Sequence, residues 1–424
     1  MFQSSFLKNL TKVFSGNVVA QLILVGVSPI LTRIFTPADF GIFGTYTSLL
    51  GIFLVISAFA YEKAIPMEKD RDNVRHIVLL SIGISLVWFL SGLILYVVTG
   101  WSVFRWMDVS VSYAVPILFG LGVFAASIQQ TLSYWAIRNN QYGPISVAKI
   151  SQSGVNGVAQ ISLAGAITKT GVGLITGDLL GRMAGSMNLF VRFVKEEGLS
   201  WQRGKWLLLI KKYRNFPLLG TPSLLLNNIA IQLPTLLFVV LFGVAASGQF
   251  SLTQRMVGIP IAMITTAVGQ VFYGKASELQ RENTERLKKL YWKLTSRLFL
   301  IFLLPMGLFA MVSPMLFTWL FGASWEMAGV YAQILTPMFF VQLVVLPVSQ
   351  ILYVTGNQGL QLLWDSSRFL LLLAGFFLIY HFQWGMTVAV LFFSITMTVS
   401  YTLLVLLGNW GMKRKDTIYA NQME

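Results

Sequence analysis

Two short stretches, Ala38–Phe43 (ADFGIF) and Ala245–Phe250 (AASGQF), share the pattern A-x-x-G-x-F, and each lies between two long apolar segments. They stand at equivalent places in the two halves of the chain, so the pattern indicates an internal repeat. Each half has room for six membrane-spanning helices. Because six is even, the second half enters the membrane in the same orientation as the first, which predicts a parallel repeat about an axis along the membrane normal.

The composition agrees with a membrane protein. Hydrophobic residues make up 55% of the chain, charged residues only 11%, and the mean hydropathy is +0.70, whereas about 25% of the residues of a soluble domain are charged. A bilayer core of about 30 Å requires roughly 20 apolar residues per helix. This length predicts an all-α integral membrane protein with about twelve spans, at 14–33, 40–61, 76–98, 111–137, 145–168, 171–192, 218–242, 247–273, 291–319, 327–353, 360–380 and 384–409.

Basic residues are distributed unevenly between the predicted loops. Most of the 31 Lys and Arg residues fall on the side that holds both termini, and the opposite side holds only Arg33, Arg105 and Lys169. The positive-inside rule therefore places both termini in the cytoplasm. This asymmetry and attraction to anionic lipid headgroups account for the net charge of +15, which is no argument for a nucleic-acid partner.

The sequence predicts four regions: an N-terminal six-helix lobe (1–198), an amphipathic cytoplasmic linker (199–217), a C-terminal six-helix lobe (218–412) and a cytoplasmic tail (413–424). The N-terminus has no cleavage pattern and is expected to be retained. There are no cysteines, and no HExxH, P-loop or GxSxG pattern is present. We therefore expect no catalytic residues, no metal, no cofactor and no enzymatic activity.

Five stretches, in order along the chain, resemble bacterial polysaccharide biosynthesis proteins of the O-antigen (Wzx-type) flippase family, in the superfamily that also contains multidrug extruders. They are ILTRIFTPADFGIF (30–43), AYEKAIPMEKDRDN (60–73), KKYRNFPLLGTPSLLLNNIAIQLPTLL (211–237), QRMVGIPIAMITTAVGQVFYGKAS (254–277) and LPVSQILYVTGNQGLQLLWDSSRFLLL (346–372). The resemblance implies two six-helix lobes around a central cavity that opens alternately to each side of the bacterial inner membrane.

The resemblance also implies the cargo, an undecaprenyl-diphosphate-linked oligosaccharide such as a lipopolysaccharide repeat unit, and, as partners, membrane lipids, a polysaccharide polymerase and other assembly proteins. Such cargo has an anionic diphosphate and a polar glycan. Arginine suits the diphosphate because its guanidinium group stays charged and binds phosphate oxygens in pairs. The sequence does not specify the sugars or any ion coupling.

Charged side chains inside predicted spans are costly, which makes them candidates for function. Asp178 and Arg182 lie four residues apart in TGDLLGRMAG (176–185), on one helix face,. Either they only neutralise each other, or Arg182 contacts the cargo while Asp178 holds it or exchanges a proton. Arg255 is predicted to face the cavity, with snorkelling to the interface as the alternative. Lys149 has the same two alternatives.

The remaining candidates are weaker. Glu62 is predicted to take part in an inside gate or to cap a helix, and Arg368, three residues after Asp365, to take part in a gate or to anchor its helix. Amides inside the spans either join helices or contact sugar hydroxyls; these are Asn17, Gln21, Asn228 and Gln232.

Two other functions stay open at this point. A multidrug exporter of the same superfamily would carry cations in an acidic cavity, whereas the charges inside the spans lean basic. An integral-membrane glycan polymerase or ligase would need acid, base or nucleophilic groups on the outer face, where the predicted loops are short and hold few acids.

Overall fold

The computed structural model describes residues 2–106, 112–166, 170–199, 203–282 and 284–423, and every regular element in these ranges is a helix. The α-helices are α1 (Phe2–Ile34), α2 (Pro37–Ser57), α3 (Arg71–Thr99), α4 (Val103–Trp106), α5 (Ala114–Arg138), α6 (Tyr142–Ala166), α7 (Gly171–Glu197), α8 (Arg203–Lys212), α9 (Thr221–Thr253), α10 (Ile259–Glu282), α11 (Thr284–Phe321), α12 (Glu326–Val345), α13 (Ile351–Val354), α14 (Gln358–His381) and α15 (Met386–Met423). Short 3₁₀ helices span Tyr61–Met67 and Ala323–Trp325, and single π turns span Phe216–Gly220 and Gln254–Gly258. The all-α prediction is confirmed.

Nine segments of the described residues are helical, long enough and apolar enough to cross a membrane. One of them, Phe216–Gln280, covers two predicted spans, and the spans predicted at 145–168 and 171–192 correspond to α6 and α7, which are not among the nine. The protein is thus a multi-pass membrane protein. The number twelve stays a prediction.

Two predicted span boundaries are displaced by backbone breaks, and a third break falls between two predicted spans. The span predicted to reach residue 61 ends at Ser57, because Phe59 and Ala60 adopt positive φ angles of 48° and 57° that a helix cannot continue through,. Gly243, with φ 80° and ψ 171°, interrupts the long segment within α9. The span predicted at 327–353 stops at Val345, and a turn separates it from α13.

By internal contacts the chain divides into two compact units, Met1–Ser251 and Leu252–Glu424. The predicted lobe boundaries at 198 and 218 stay predictions.

In the first unit, α7 packs closely on α6 through glycines spaced four residues apart. A Cβ atom at Gly181 would lie 2.6 Å from the carbonyl oxygen of Gln152, and one at Gly185 would lie 2.9 Å from that of Ala148. Small residues at this spacing allow membrane helices to approach backbone to backbone.

The 3₁₀ helix Tyr61–Met67 is anchored by a buried core at one end of the first unit. Ile65 contributes to this core together with Trp135 of α5, Phe193 of α7 and Leu209 of α8, and the Trp135 and Phe193 rings meet edge to face with centroids 5.4 Å apart. Helix α8 therefore buries the face that carries Leu209, while the adjacent residue Leu208 stays 70% exposed.

Ion pairs fasten α8 to the same end of the unit. Lys212 donates to Glu68 Oε2 at 2.5 Å, and the Tyr213 hydroxyl donates to the same oxygen at 2.8 Å. Lys205 pairs with Asp72 at the start of α3. Arg138 of α5 also donates hydrogen bonds to the carbonyl oxygens of Glu68 and Lys69. This network holds the segment that carries Glu62.

The two A-x-x-G-x-F copies contact each other within the first unit. A Cβ atom on Gly41 would overlap the carbonyl oxygen of Val244, and one on Gly248 would overlap that of Pro37. Each glycine therefore contacts the residue that immediately precedes the other copy. Glycine is required at both positions because any side chain would collide with backbone.

The second unit is built on α11, α12, α14 and α15. A Cβ atom at Gly329 of α12 would lie 2.6 Å from the Cα of Pro314 in α11. Trp364 of α14 donates to the carbonyl oxygen of Ser400 in α15 at 2.6 Å, and Gln342 of α12 donates to the Tyr401 hydroxyl at 2.9 Å. These bonds satisfy polar groups that would otherwise be buried without partners.

Candidate functional site

Asp178 is the centre of a buried polar cluster in the first unit. Its side chain accepts hydrogen bonds from Arg182 Nε at 2.6 Å, from the Tyr46 hydroxyl at 3.1 Å and from Asn156 Nδ2 at 3.0 Å. The ion pair expected from the four-residue spacing therefore forms. The close packing of α7 on α6 brings Asn156 into reach.

The Arg182 side chain keeps 18% of its surface exposed, against 6% for Asp178. The hydrogen bond from Nε to Asp178 uses one of the five N–H donors of the guanidinium group. The arrangement can neutralise a charge in an apolar helix and at the same time present a positively charged group to an anion. Whether Arg182 only neutralises Asp178 or also contacts the cargo stays a prediction.

A second contact joins α1 and α6. Lys149 Nζ donates to Asn17 Oδ1 at 3.1 Å, and both side chains are half-buried. Gln21, one turn further along α1, is also half-buried, and its Oε1 atom is buried without a hydrogen-bond partner. These three predicted residues therefore lie close together.

Glu62 lies in a third polar group, at a cavity of about 230 Å³. The cavity is lined by residues of α2, the 3₁₀ helix, α5 and α9: Gly51, Leu54, Val55, Glu62, Lys63, Gln130, Tyr134, Leu224 and Asn228. Gln130 Nε2 donates to Glu62 Oε1 at 3.0 Å, whereas Glu62 Oε2 is buried without a hydrogen-bond partner. Asn228 donates to the carbonyl oxygen of Leu224 at 2.9 Å.

Glu62 lies outside the membrane-spanning segments, and burial raises the pKa of its carboxyl group above the ordinary value of 4.5, against the lowering effect of its hydrogen bonds. A carboxyl group with one fixed and one unbonded oxygen can accept a hydrogen bond from a ligand or take up a proton. Among the described residues, no group of three or more His, Asp or Glu side chains is placed to hold a metal ion.

Gln232 lies where helices α2 and α9 approach closely, since its Nε2 atom is 2.5 Å from the position that a Cβ on Gly51 would take. Arg255 and Arg368 belong to the second unit. Arg255 is half-buried in the π turn Gln254–Gly258. Arg368 donates to Asp365 at 3.3 Å and its guanidinium group lies 4.6 Å from the ring centre of Trp364, which fits an anchoring contact,.

The predicted residues therefore form three groups in the first unit and two separate arginines in the second. Tyr46, Asn156, Gln130 and Tyr134 contact the predicted groups and were not predicted from the sequence. Tyr46 is 132 residues from Asp178 and Gln130 is 68 from Glu62, so no local spacing could reveal them. Trp364 carried a local signal, because it precedes Arg368 by four residues.

The first unit also has an apolar cavity of about 370 Å³ between α2, α3, α4 and α5. Its walls include the aromatic rings of Phe53, Trp88, Phe89 and Phe119, and it contains none of the predicted site residues. Its lining suits a hydrocarbon chain. The unit therefore offers a polar cavity and a separate apolar cavity.

Solved structures show which fold this is. The chain superposes on the "Inward-facing conformation of a multidrug resistance MATE family transporter of the MOP superfamily" with a TM-score of 0.71 and 17% identity, over 94% of this chain and 96% of that one. A structure titled "MATE in complex with MaD3S" gives a TM-score of 0.59 and 17% identity, over 97% of both chains. An outward-facing MATE family transporter gives 0.53 and 17%, over 96% and 94%. The fold is that of MATE transporters.

No curated protein sequence is significantly similar to this chain. The sequence profile of the family described as "Polysaccharide biosynthesis protein" matches residues 30–329, which is more than half of the chain. The matched range contains Asp178, Arg182, Glu62 and Arg255. The chain therefore belongs to the polysaccharide biosynthesis protein family, on the fold of the MOP superfamily transporters.

Proposed function

We propose that this protein is a flippase that moves an undecaprenyl-diphosphate-linked oligosaccharide, such as an O-antigen repeat unit, from the cytoplasmic to the outer leaflet of the bacterial inner membrane. The observation that carries the proposal is the coincidence of a polysaccharide biosynthesis family with the fold of a membrane transporter. A polysaccharide biosynthesis family on a transporter fold supports a cargo that is both glycan and membrane-bound.

The polar groups of the first unit support this cargo. Arg182 and Lys149 place positive charge within membrane helices, as an anionic diphosphate requires,. The amides Asn17, Gln21, Asn228 and Gln232 provide donors and acceptors for sugar hydroxyls. In this proposal Asp178 positions Arg182, and Glu62 and Arg368 belong to gates. The apolar cavity supplies a surface for part of the lipid tail.

Transport is proposed to occur by alternating access, without catalysis by the protein itself, with both termini in the cytoplasm. Assembly partners such as a polysaccharide polymerase receive the cargo on the outer side. A multidrug exporter is the second candidate, since the MATE structures with the same fold include multidrug resistance transporters. The basic balance of the charges inside the spans favours the anionic cargo over a cationic drug.

The test is the leaflet distribution of undecaprenyl-linked oligosaccharide in a strain that lacks the protein and in the same strain expressing it. A glycan-modifying enzyme added to right-side-out vesicles reaches only the outer leaflet. We expect the oligosaccharide to be inaccessible without the protein and accessible with it. Equal accessibility in both strains, after deletion of any second carrier, would refute the flippase proposal and favour drug export.

A further inference from the structure

The polar cavity that contains Glu62 differs from the other polar groups because its carboxylate is incompletely bonded. Glu62 is only 3% exposed, Gln130 holds its Oε1 atom at 3.0 Å, and Oε2 has no hydrogen-bond partner. Burying an acceptor without a partner costs about 1–3 kcal/mol, and more when the group is charged. Glu62 lines the cavity, and a carboxylate with one unbonded oxygen keeps the capacity to accept a further hydrogen bond.

The other walls of the cavity supply complementary chemistry. Asn228 uses one N–H of its Nδ2 group on the carbonyl oxygen of Leu224, so it can offer its amide oxygen and its second N–H to a ligand. Tyr134 contributes an aromatic ring and a hydroxyl group, and Leu54 and Val55 contribute apolar surface. Acceptor oxygens beside an aromatic ring match a molecule with hydroxyl donors around its edge and C–H groups on its faces.

The size of the cavity limits what can enter. A volume of about 230 Å³ lies below the range of about 300–1,000 Å³ that is usual for drug-sized ligands,. It therefore suits one ring of an oligosaccharide and not the whole repeat unit.

We propose that the cavity lined by Glu62, Lys63, Gln130, Tyr134 and Asn228 is a subsite for one sugar ring, with the Glu62 carboxylate accepting a hydrogen bond from a ring hydroxyl. Gln130 positions the carboxylate and Tyr134 packs against the face of the sugar. This inference rests on the proposed function and deepens it. This subsite is distinct from the positively charged groups at Arg182 and Lys149, which meet the diphosphate in the proposed function.

The test compares the affinity of the purified protein in lipid nanodiscs for two kinds of probe. One is undecaprenyl diphosphate, and the other is undecaprenyl diphosphate carrying a single glucose, galactose, mannose, N-acetylglucosamine or N-acetylgalactosamine. We expect the wild-type protein to prefer at least one sugar-bearing lipid. Glu62→Gln and Tyr134→Ala should each reduce that preference about tenfold or more and leave the affinity for undecaprenyl diphosphate unchanged. The first variant loses the hydrogen bond to a charged group, and the second loses the ring contact.

Two controls separate the site from general damage. Glu278→Gln changes an exposed carboxylate of the second unit and should keep the preference, and Tyr134→Phe should keep most of it because the ring remains. Preference retained in both Glu62→Gln and Tyr134→Ala, or a wild-type protein that binds every probe equally, would overturn the sugar subsite and leave the flippase proposal standing. Failure of the wild-type protein to bind any of these lipids would refute the flippase proposal itself.

Discussion

Gly41 and Gly248 occupy the same position in the two copies of the A-x-x-G-x-F pattern, and each lies against the backbone of the other copy. A Cβ on Gly41 would collide with the carbonyl oxygen of Val244, and a Cβ on Gly248 would collide with that of Pro37. The repeat is therefore a contact as well as a sequence similarity. Each glycine makes room for the residue that precedes the other copy.

Alanine at either glycine should loosen this contact. We expect Gly41→Ala and Gly248→Ala to lower the free energy of unfolding by about 1–3 kcal/mol, the usual range for forcing a methyl group into packed structure, and thus to lower the Tm in detergent. Gly26→Ala is the matched control, because a Cβ there would meet no atom within 4 Å. It should be neutral or stabilising, since alanine favours a helix over glycine by about 1 kcal/mol. Equal Tm values for Gly41→Ala and Gly26→Ala would contradict the contact.

Substitutions at Asp178 and Arg182 should distinguish neutralisation from cargo binding. Arg182→Ala leaves the buried carboxylate with Tyr46 and Asn156 only, and we expect a loss of about 3–5 kcal/mol of stability, as for other broken buried ion pairs. The double variant Asp178→Asn/Arg182→Gln removes both charges and should recover most of the Tm. If Arg182 contacts the cargo, the double variant stays inactive in the leaflet assay. If it recovers both stability and transport, the pair only neutralises itself.

Arg255 and Arg297 offer a matched comparison within the second unit. Arg255 is half-buried in a π turn, whereas Arg297 is exposed. We expect Arg255→Ala to reach the membrane at a normal level and to lose most transport, because its charge is placed within the protein. Arg297→Ala should retain transport, since an exposed arginine in a span anchors to headgroups. Full transport by Arg255→Ala at unchanged protein level would remove Arg255 from the cargo site.

Glu68 should make stability depend on pH in the acidic range. Burial alone would raise its pKa, but hydrogen bonds from Lys212, from Tyr213 and from the backbone of Asp70 lower the pKa from 4.5 to about 2. A lowered pKa contributes stability that is full above pH 4.5 and is lost as the pH falls toward 2.

We therefore expect Glu68→Gln to lower the Tm at pH 7. The difference in Tm between variant and wild type should stay constant down to about pH 5.5. It should become smaller between pH 4.5 and the lowest pH that the protein tolerates. Glu278→Gln, in an exposed pair, should have little effect on the Tm at any pH. If the difference in Tm between wild type and Glu68→Gln becomes larger on acidification, the network does not lower the pKa of Glu68.

Local sequence patterns predicted the parts of the site that lie on one helix. The four-residue spacing of Asp178 and Arg182 was sufficient to predict their pair, and Gly243 interrupts the chain between two predicted spans. The partners Tyr46, Asn156 and Gln130 come from other helices, and their positions depend on packing of α7 on α6 and of α5 on the 3₁₀ helix. Such contacts follow from tertiary structure, which no spacing rule contains. For the same reason the cavity at Glu62 could not be predicted.

The close packing of α6 and α7 has a consequence for how the protein enters the membrane. Neither helix is among the nine segments apolar enough to cross on their own. Between them, Asn156 donates to Asp178, and Gln160 donates to the carbonyl oxygen of Leu174 at 2.9 Å; within α7, Arg182 pairs with Asp178. Helix α6 thus supplies polar partners for α7. We therefore expect α6 and α7 to enter the lipid as a pair, and not one helix at a time.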